Sequence, residues 1–274
     1  MQIIDTIELF PVINEKLISF LKELSISDWQ KQTIAKKWIV KDVASHLLDG
    51  NLRRIASKRD NWLTPPNRNI DSYNDLVDYL NDLNADWVKA TKRLSPQIII
   101  ELLDQTNKQV YEIFKNLDPF GKATFSVSWA GEKYSQNWFD IAREYTERWH
   151  HQQQIRDAMG DKSIMNDELY YPVLNIFMQA WPYACKDAVA TEGTIIKTII
   201  TGNGGGEWFL KRENSKWQMS QPSSSIAAET IVDGDIAWKL FSKSVRKEEV
   251  KEFISIKGEK RLAEKILDMV SVMA

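Results

Sequence analysis

The sequence predicts an α+β protein of two domains, a helical domain followed by a small mixed domain. Up to residue 160, apolar residues recur at three- and four-residue steps through long segments, which is typical of amphipathic helices. Beyond residue 190, short β-branched runs alternate with glycine-rich turns, which is typical of strands. The pattern changes between residues 161 and 166. We therefore predict domains at residues 1–162 and 163–274, and a chain of 274 residues favours two domains over one.

The composition excludes several classes of partner. Lys and Arg number 36 against 38 Asp and Glu, a balance that does not indicate a nucleic-acid or anionic-membrane partner. The only cysteine, Cys185, cannot form an internal disulfide, which fits a reducing compartment. The amino terminus lacks signal-peptide features, and no apolar run approaches the ~20 residues that span a bilayer. We expect a cytoplasmic protein that acts on a small molecule; whether it forms a homodimer stays open.

The first domain is predicted to be a helical bundle. Helices are expected over residues 7–25, 40–59, 72–94, 95–114 and 135–159. A short extended piece is expected at residues 124–129. Bundles with short connections commonly hold metal ions between facing helices.

The second domain is predicted to combine a sheet with a few helices. A helix is expected over residues 167–189, starting near Pro172 and kinked at Pro182. Strands are expected at residues 194–201, 207–212, 216–219 and 226–232, and helices after Asp233 and over 260–270. The glycines at 202–206 join two strands, so they are a turn and not a phosphate-binding loop, which would precede a helix.

The candidate functional residues lie on two helices that are distant in sequence. Two of the three histidines, His150 and His151, follow Glu147 closely, and the third is His46. Glu147 and His151 are four positions apart and share a helix face. With His46 they make a His₂Glu set, which suits a catalytic zinc site with one open position. Glu147 to His150 is also a same-face spacing, so the choice between the two adjacent histidines stays open.

A simpler interpretation is that Glu147 and His151 form a solvated pair, worth only about 0.2–0.5 kcal/mol. The apolar residues Ile155 and Ala158 lie near them on the helix, so their face is not simply polar. This observation favours the metal site.

Two segments resemble a known family. Residues 38–47, WIVKDVASHL, and residues 144–160, EYTERWHHQQQIRDAMG, resemble the DinB-like metal-binding superfamily, and within it the branch of mycothiol-dependent maleylpyruvate isomerase. Residues 231–241 and 256–274 resemble the small sterol-carrier-like domain that accompanies this branch. The resemblance implies a DinB-like four-helix bundle, followed by the sterol-carrier-like α+β domain. Its metal ligands would be His46, Glu147 and His151. The family usually has threonine after the motif tryptophan, where this chain has Ile39.

The resemblance also implies a chemistry. The cofactors would be a divalent metal, with zinc the first candidate and nickel the second, and a low-molecular-weight thiol. The thiol would act as nucleophile on a small electrophile, giving isomerisation or S-transfer. Two alternatives stay open: a metal-dependent hydrolase using the same site, and a non-catalytic protein that binds a metal or an apolar ligand. The identity of the thiol and the catalytic residues other than the ligands stay open as well.

Several further residues are candidates without an assigned role. Glu144 could orient His151 through its second ring nitrogen. Guanidinium and ammonium groups could bind a substrate carboxylate. The candidates are Arg53, Arg54 and Arg156 in the first domain and Lys211, Arg212 and Arg246 in the second.

Overall fold

The computed structural model describes residues 3–272, which form two compact units. The helical unit contains Asp5–Pro119 and Glu147–Lys162. The mixed unit contains Phe120–Thr146 and residues 163–272, together with Ile3 and Ile4. One unit border therefore lies between residues 162 and 163, and another falls inside a long helix. The division into residues 1–162 and 163–274 stays a prediction about independently folding domains.

The helical unit contains the helices that the sequence predicts. These are α1 (Leu9–Glu23), α2 (Val40–Lys58), α3 (Tyr73–Thr91), α4 (Pro96–Lys115) and the second half of α5 (Asn137–Asp157). Their ends agree with the prediction to within a few residues. None of the described helices combines the length and apolar composition needed to cross a bilayer.

Serine side chains cap the amino-terminal ends of two of these helices. The Ser72 hydroxyl accepts the N–H of Asp75 at 3.1 Å, and the Ser95 hydroxyl accepts the N–H of Ile98 at 3.2 Å. Each satisfies one of the N–H groups that the first helical turn leaves without a partner. Pro96 follows at the first turn of α4, where its missing N–H costs nothing.

The core of the helical unit lies between α1, α2 and α4. Helix α4 packs against α1 and α2, and α3 packs against α2. Helix α5 contributes Ile155 to the same core. The other fully buried members include Leu17, Leu21, Val43, Leu47, Ile99 and Leu103. Each such side chain contributes about 1.5–3 kcal/mol relative to its exposed state, so the apolar faces that the sequence pattern identifies hold α2 and α5 in place.

The mixed unit is built on a five-stranded sheet. Its strands are β1 (Ile195–Ile200), β2 (Gly206–Glu213), β3 (Lys216–Ser220), β4 (Ala228–Val232) and β5 (Ile254–Gly258). Their order is β3-β2-β1-β4-β5, with β1 and β4 parallel and the other pairs antiparallel. Alternate residues of β1 are buried, so one face of the sheet carries the core. The α+β class is therefore confirmed.

The turn between β1 and β2 needs its glycines. Gly202 and Gly204 have φ of +85° and +74°, a region that other residues adopt at a cost. A Cβ on Gly205 would lie 2.2 Å from the carbonyl oxygen of Ile200. The glycine run is thus a β-hairpin turn, as the sequence predicts.

Helix α6 (Tyr170–Phe177) is shorter than predicted. The helix expected over residues 167–189 is instead α6, a 3₁₀ turn and the single-turn α7 (Trp181–Ala184). Pro182 is the second residue of α7 and cannot donate an N–H, and the 3₁₀ turn directly before α7 interrupts the α-helix near the predicted kink. Asp233 caps α8 (Gly234–Phe241) as predicted, since its carboxylate accepts the N–H of Asp235 at 2.8 Å.

Two further predictions for the mixed unit were wrong, and one strand was missed. Thr124–Trp129 is not extended: it is irregular and ends in a 3₁₀ turn that buries Trp129. The last helix is one turn, α9 (Lys260–Ala263), followed by a 3₁₀ segment over Glu264–Asp268. Strand β5 was not predicted because it is an edge strand with no fully buried residue, and its apolar alternation is weak.

Cys185 is expected to be unreactive in the folded protein. The thiol is buried, and burial raises its pKa to about 12, so it stays protonated at pH 8. Ellman's reagent should therefore modify native protein far more slowly than protein in 6 M guanidinium, where one thiol should react at once. Rapid modification of native protein would show that the site around Cys185 opens readily.

Candidate metal site

The segment before α2 is folded back so that Trp38 stands at the start of the helix. The carbonyl of Trp38 accepts hydrogen bonds from the N–H and hydroxyl of Thr33, at 3.2 and 2.8 Å, and from the Gln32 amide at 2.8 Å. Ile39 offers no side-chain acceptor, so the helix lacks the cap that a threonine could give at this position. Asp42 supplies the other half of the cap, accepting the N–H of Ile39 at 3.1 Å.

Helices α2 and α5 bring His46 and His151 into contact. Their ring centroids are 4.6 Å apart and the rings are nearly perpendicular, at 79°. Trp38 covers His46, with ring centroids 4.8 Å apart. Two residues about a hundred positions apart in the sequence therefore meet in the structure.

The carboxylate of Glu147 lies beside His151. Its Oε2 lies 3.5 Å from Nε2 of His151. This is longer than a good N–H···O hydrogen bond, which is about 2.7–3.2 Å. Two atoms bound tetrahedrally to one zinc ion, at about 2.0–2.1 Å each, lie about 3.4 Å apart. The spacing therefore fits two ligands of one ion better than a direct hydrogen bond.

Gln154 determines which nitrogen of each neighbouring ring carries the hydrogen. Its Oε1 lies 2.9 Å from Nδ1 of His151, and its Nε2 lies 3.1 Å from Nε2 of His150. An amide oxygen only accepts and an amide nitrogen only donates, so His151 carries its hydrogen on Nδ1 and His150 accepts at Nε2. With its hydrogen on Nδ1, the His151 ring turns Nε2 toward the carboxylate of Glu147.

His150 is placed so that it could bind the metal ion instead of a predicted ligand. Ligand atoms of Glu147, His150 and His151 all lie within 4.8 Å of one another, so the third member of this compact group is His150 and not the predicted His46. However, the lone pair of His150 at Nε2 is already bonded to Gln154. The His150 and His151 rings are also stacked, 5.1 Å apart at 22°, so lone pairs in the two ring planes do not converge as those of perpendicular rings can. Burial, with a smaller effect from His151, holds the pKa of His150 well below its ordinary value, so the ring is neutral.

The group is partly accessible to solvent. The side chains of Glu147 and His151 are 22% and 12% exposed. The second carboxylate oxygen of Glu147, Oε1, is buried and has no hydrogen-bond partner among the described residues. A buried carboxylate oxygen without a partner is costly unless a cation neutralises it. Two imidazole nitrogens and a carboxylate are also the donor types that zinc prefers, so these residues fit a divalent ion.

Comparison with known proteins identifies the fold. No protein-family model matches the chain, and no curated protein matches it significantly. The crystal structure of the mycothiol-dependent maleylpyruvate isomerase covers 92% of this chain and 92% of its own, with TM-score 0.55 and 9% identity. This chain has the maleylpyruvate isomerase fold. A histidine-to-alanine mutant of that isomerase gives the same coverage and TM-score at 8% identity.

The resemblance found in the sequence is thus confirmed for the maleylpyruvate isomerase fold, over nearly the whole chain. An identity of 9% carries the fold alone, so the activity of this chain has to be argued from its own residues.

Other candidate residues of this fold have structural partners. Glu144 accepts a hydrogen bond from Arg143 at 2.8 Å. The residue bonded to the second ring nitrogen of His151 is Gln154, where Glu144 was a candidate. Arg156 donates to Asp161 and to the carbonyl of Lys16, and Arg54 is buried over a phenylalanine ring.

In the mixed unit, Lys211 pairs with Glu213, Arg246 pairs with Glu249, and Arg212 lies over Trp217. Of the helical-unit candidates, Arg53 is the most exposed.

A buried polar network that was not predicted from the sequence lies next to Glu147. Arg148 donates to the side-chain oxygens of Asn51 and Asn107. Asn51 in turn donates to Thr106 and Asn107, both at 2.8 Å. The network ties α5 to α2 and α4 directly beside the site. Its only sequence signal is a set of polar residues on otherwise apolar helix faces.

Proposed function

We propose that the protein binds a divalent cation through His46, Glu147 and His151, with zinc the first candidate and nickel the second. The observation that carries this proposal is the 3.5 Å separation between a carboxylate oxygen and Nε2 of His151, whose other nitrogen is held by Gln154. A carboxylate oxygen and an imidazole nitrogen that face each other at this distance need a proton or a metal ion between them, and a divalent ion could bind both.

We further propose that the protein is a thiol-dependent isomerase or S-transferase that acts on a small electrophile. A divalent ion with one open position would supply a deprotonated thiol at neutral pH, which is a strong nucleophile. The maleylpyruvate isomerase fold and the three-residue donor set, which leaves a position open, support this use of the site.

Residues of this chain would orient the metal ligands and leave access for the thiol and the electrophile. Gln154 holds the His151 ring with Nε2 toward Glu147. Trp38 covers the His46 ring and restricts its rotation. The partial exposure of Glu147 and His151 leaves an approach for small molecules. A reducing, cytoplasmic environment would keep a low-molecular-weight thiol available.

The proposal is tested on untagged, full-length protein. Elemental analysis should find about one divalent ion per chain, and a panel of electrophiles should react only when a thiol such as glutathione or bacillithiol is added. Hydrolysis without a thiol would favour a metal-dependent hydrolase, and metal without any turnover would favour a binding protein. Protein that contains no stoichiometric metal, even after incubation with zinc, would contradict the metal site.

Gln154→Leu is expected to weaken zinc binding by about 10–100-fold, the usual cost of removing the partner of a metal-bound histidine. Leucine cannot hold the Nδ1 hydrogen of His151, so the ring would be free to turn. Gln154→Glu retains an acceptor for that hydrogen and should bind zinc nearly as wild type does. Competition with a chromogenic chelator measures both affinities; equal affinity for the leucine variant and wild type would show that Gln154 does not position His151.

A further inference from the structure

Helix α3 is the least covered of the long helices in the helical unit. Thr91 is the only buried residue among the described side chains of α3, whereas α4, which is of similar length, buries seven residues. Two hydrogen bonds tie the carboxyl-terminal end of α3 to α2. The Trp87 indole donates to the Ser45 carbonyl at 2.8 Å, and the hydroxyls of Ser45 and Thr91 lie 2.6 Å apart. One side of α3 stays open to solvent in the part of the chain that the structure describes.

The open side of α3 carries an apolar seam. Leu76, Leu83 and Ala90 follow one another at seven-residue intervals, so they lie on one line along the helix. Leu83 is 37% exposed, Ala90 is exposed and Leu76 is half-buried. Leu52 of α2 is also 37% exposed, and it lies on the side of α2 that contacts α3, seven residues beyond Ser45. An exposed apolar seam with this spacing is the feature that a second helix covers in a coiled coil.

The charged residues of α3 are divided along its length. The first four turns are acidic, and the end of the helix is basic. The acidic residues are Asp75, Asp78, Asp82 and Asp86, and the basic residues are Lys89, Lys92 and Arg93. The helix dipole favours this order within one chain, but it does not account for the apolar seam beside the charges. A second copy of α3 in the antiparallel direction would place each acidic stretch beside a basic end, so the helix is complementary to itself.

We propose that the protein associates with a second copy of itself through α3, with the two helices antiparallel. Leu83 lies near the middle of α3, so it packs close to the two-fold axis against Leu83 of the partner subunit. A helix of 19 residues is about 28 Å long, so a pair of such helices forms a small interface for a specific complex. The dimer is therefore expected to be reversible, and its formation does not depend on the metal site.

Sedimentation equilibrium of untagged, full-length protein tests the association. Wild type should pass from monomer to dimer as its concentration rises through the micromolar range. Leu83→Asp places two carboxylates at the axis and should weaken the dimer about tenfold or more. Ile26→Asp is the matched control, because Ile26 is an exposed apolar residue in the loop after α1, and it should leave the dissociation constant unchanged. Wild type that stays monomeric, or Leu83→Asp that dimerises as wild type does, would overturn the proposal.

Charge reversal tests the antiparallel arrangement and leaves the apolar seam intact. One variant carries Asp82→Lys and Asp86→Lys, and a second carries Lys89→Glu and Arg93→Glu. Each variant alone places like charges against each other and should dimerise about tenfold more weakly than wild type. An equimolar mixture has opposite charges at both ends and should form heterodimers with nearly wild-type affinity, while circular dichroism confirms that each variant is folded. A mixture that associates no better than the separate variants would overturn the antiparallel pair.

Discussion

Replacing His151 with alanine is expected to abolish stoichiometric metal binding, while His150→Ala, one position earlier, is expected to retain it. Nε2 of His151 faces Glu147, whereas the lone pair of His150 is bonded to Gln154. Loss of a ligand should weaken affinity by more than the 10–100-fold expected for loss of a ligand's partner. Elemental analysis after dialysis, with chelator competition, measures the difference.

The adjacent pair is a matched control, because both substitutions remove one imidazole from the same turn of α5. His46→Ala should behave as His151→Ala does, since His46 is the donor that α2 supplies. Circular dichroism should show folded protein for all three variants. Metal loss in His150→Ala together with retention in His151→Ala would move the ligand by one residue, and retention in His46→Ala would remove α2 from the site.

Asn51→Leu is expected to destabilise the protein by about 3 kcal/mol, because it leaves the buried Arg148 guanidinium without one of its acceptors. Arg148 as a whole is only 5% exposed, so water cannot fully replace the lost contact. Since Arg148 follows Glu147 directly and the network fixes α5 against α2, zinc binding should also weaken. Urea unfolding measures the first effect and chelator competition the second.

Thr106→Val is the graded comparison for this network. It removes one acceptor of the Asn51 amide but leaves Arg148 with its contacts, so the expected cost is about 1 kcal/mol. Equal destabilisation by both substitutions would show that Arg148 loses no stabilisation when Asn51 no longer accepts its hydrogen bond.

The sequence predicted the helical unit well because its helices carry strong local signals. These signals are the apolar periodicity, the caps of Ser72 and Ser95, and the proline at the start of α4. Each of them lies within the helix that it specifies or directly before it. The same reasoning failed for the helix expected over residues 167–189 and for the edge strand β5. In those segments, proline and the sheet partners determine the conformation, and the local pattern is weak.

The sequence by itself determined the α+β class, the helices that carry His46, Glu147 and His151, and the same-face spacing of the last two. It could not choose between His150 and His151, because both spacings from Glu147 satisfy the helical period. Only the tertiary structure decided that His46 meets His151 and that Gln154 donates a hydrogen bond to the lone pair of His150. The physical reason is that periodicity specifies the face on which a side chain lies. Contacts between helices determine which atoms on that face already have a hydrogen-bond partner.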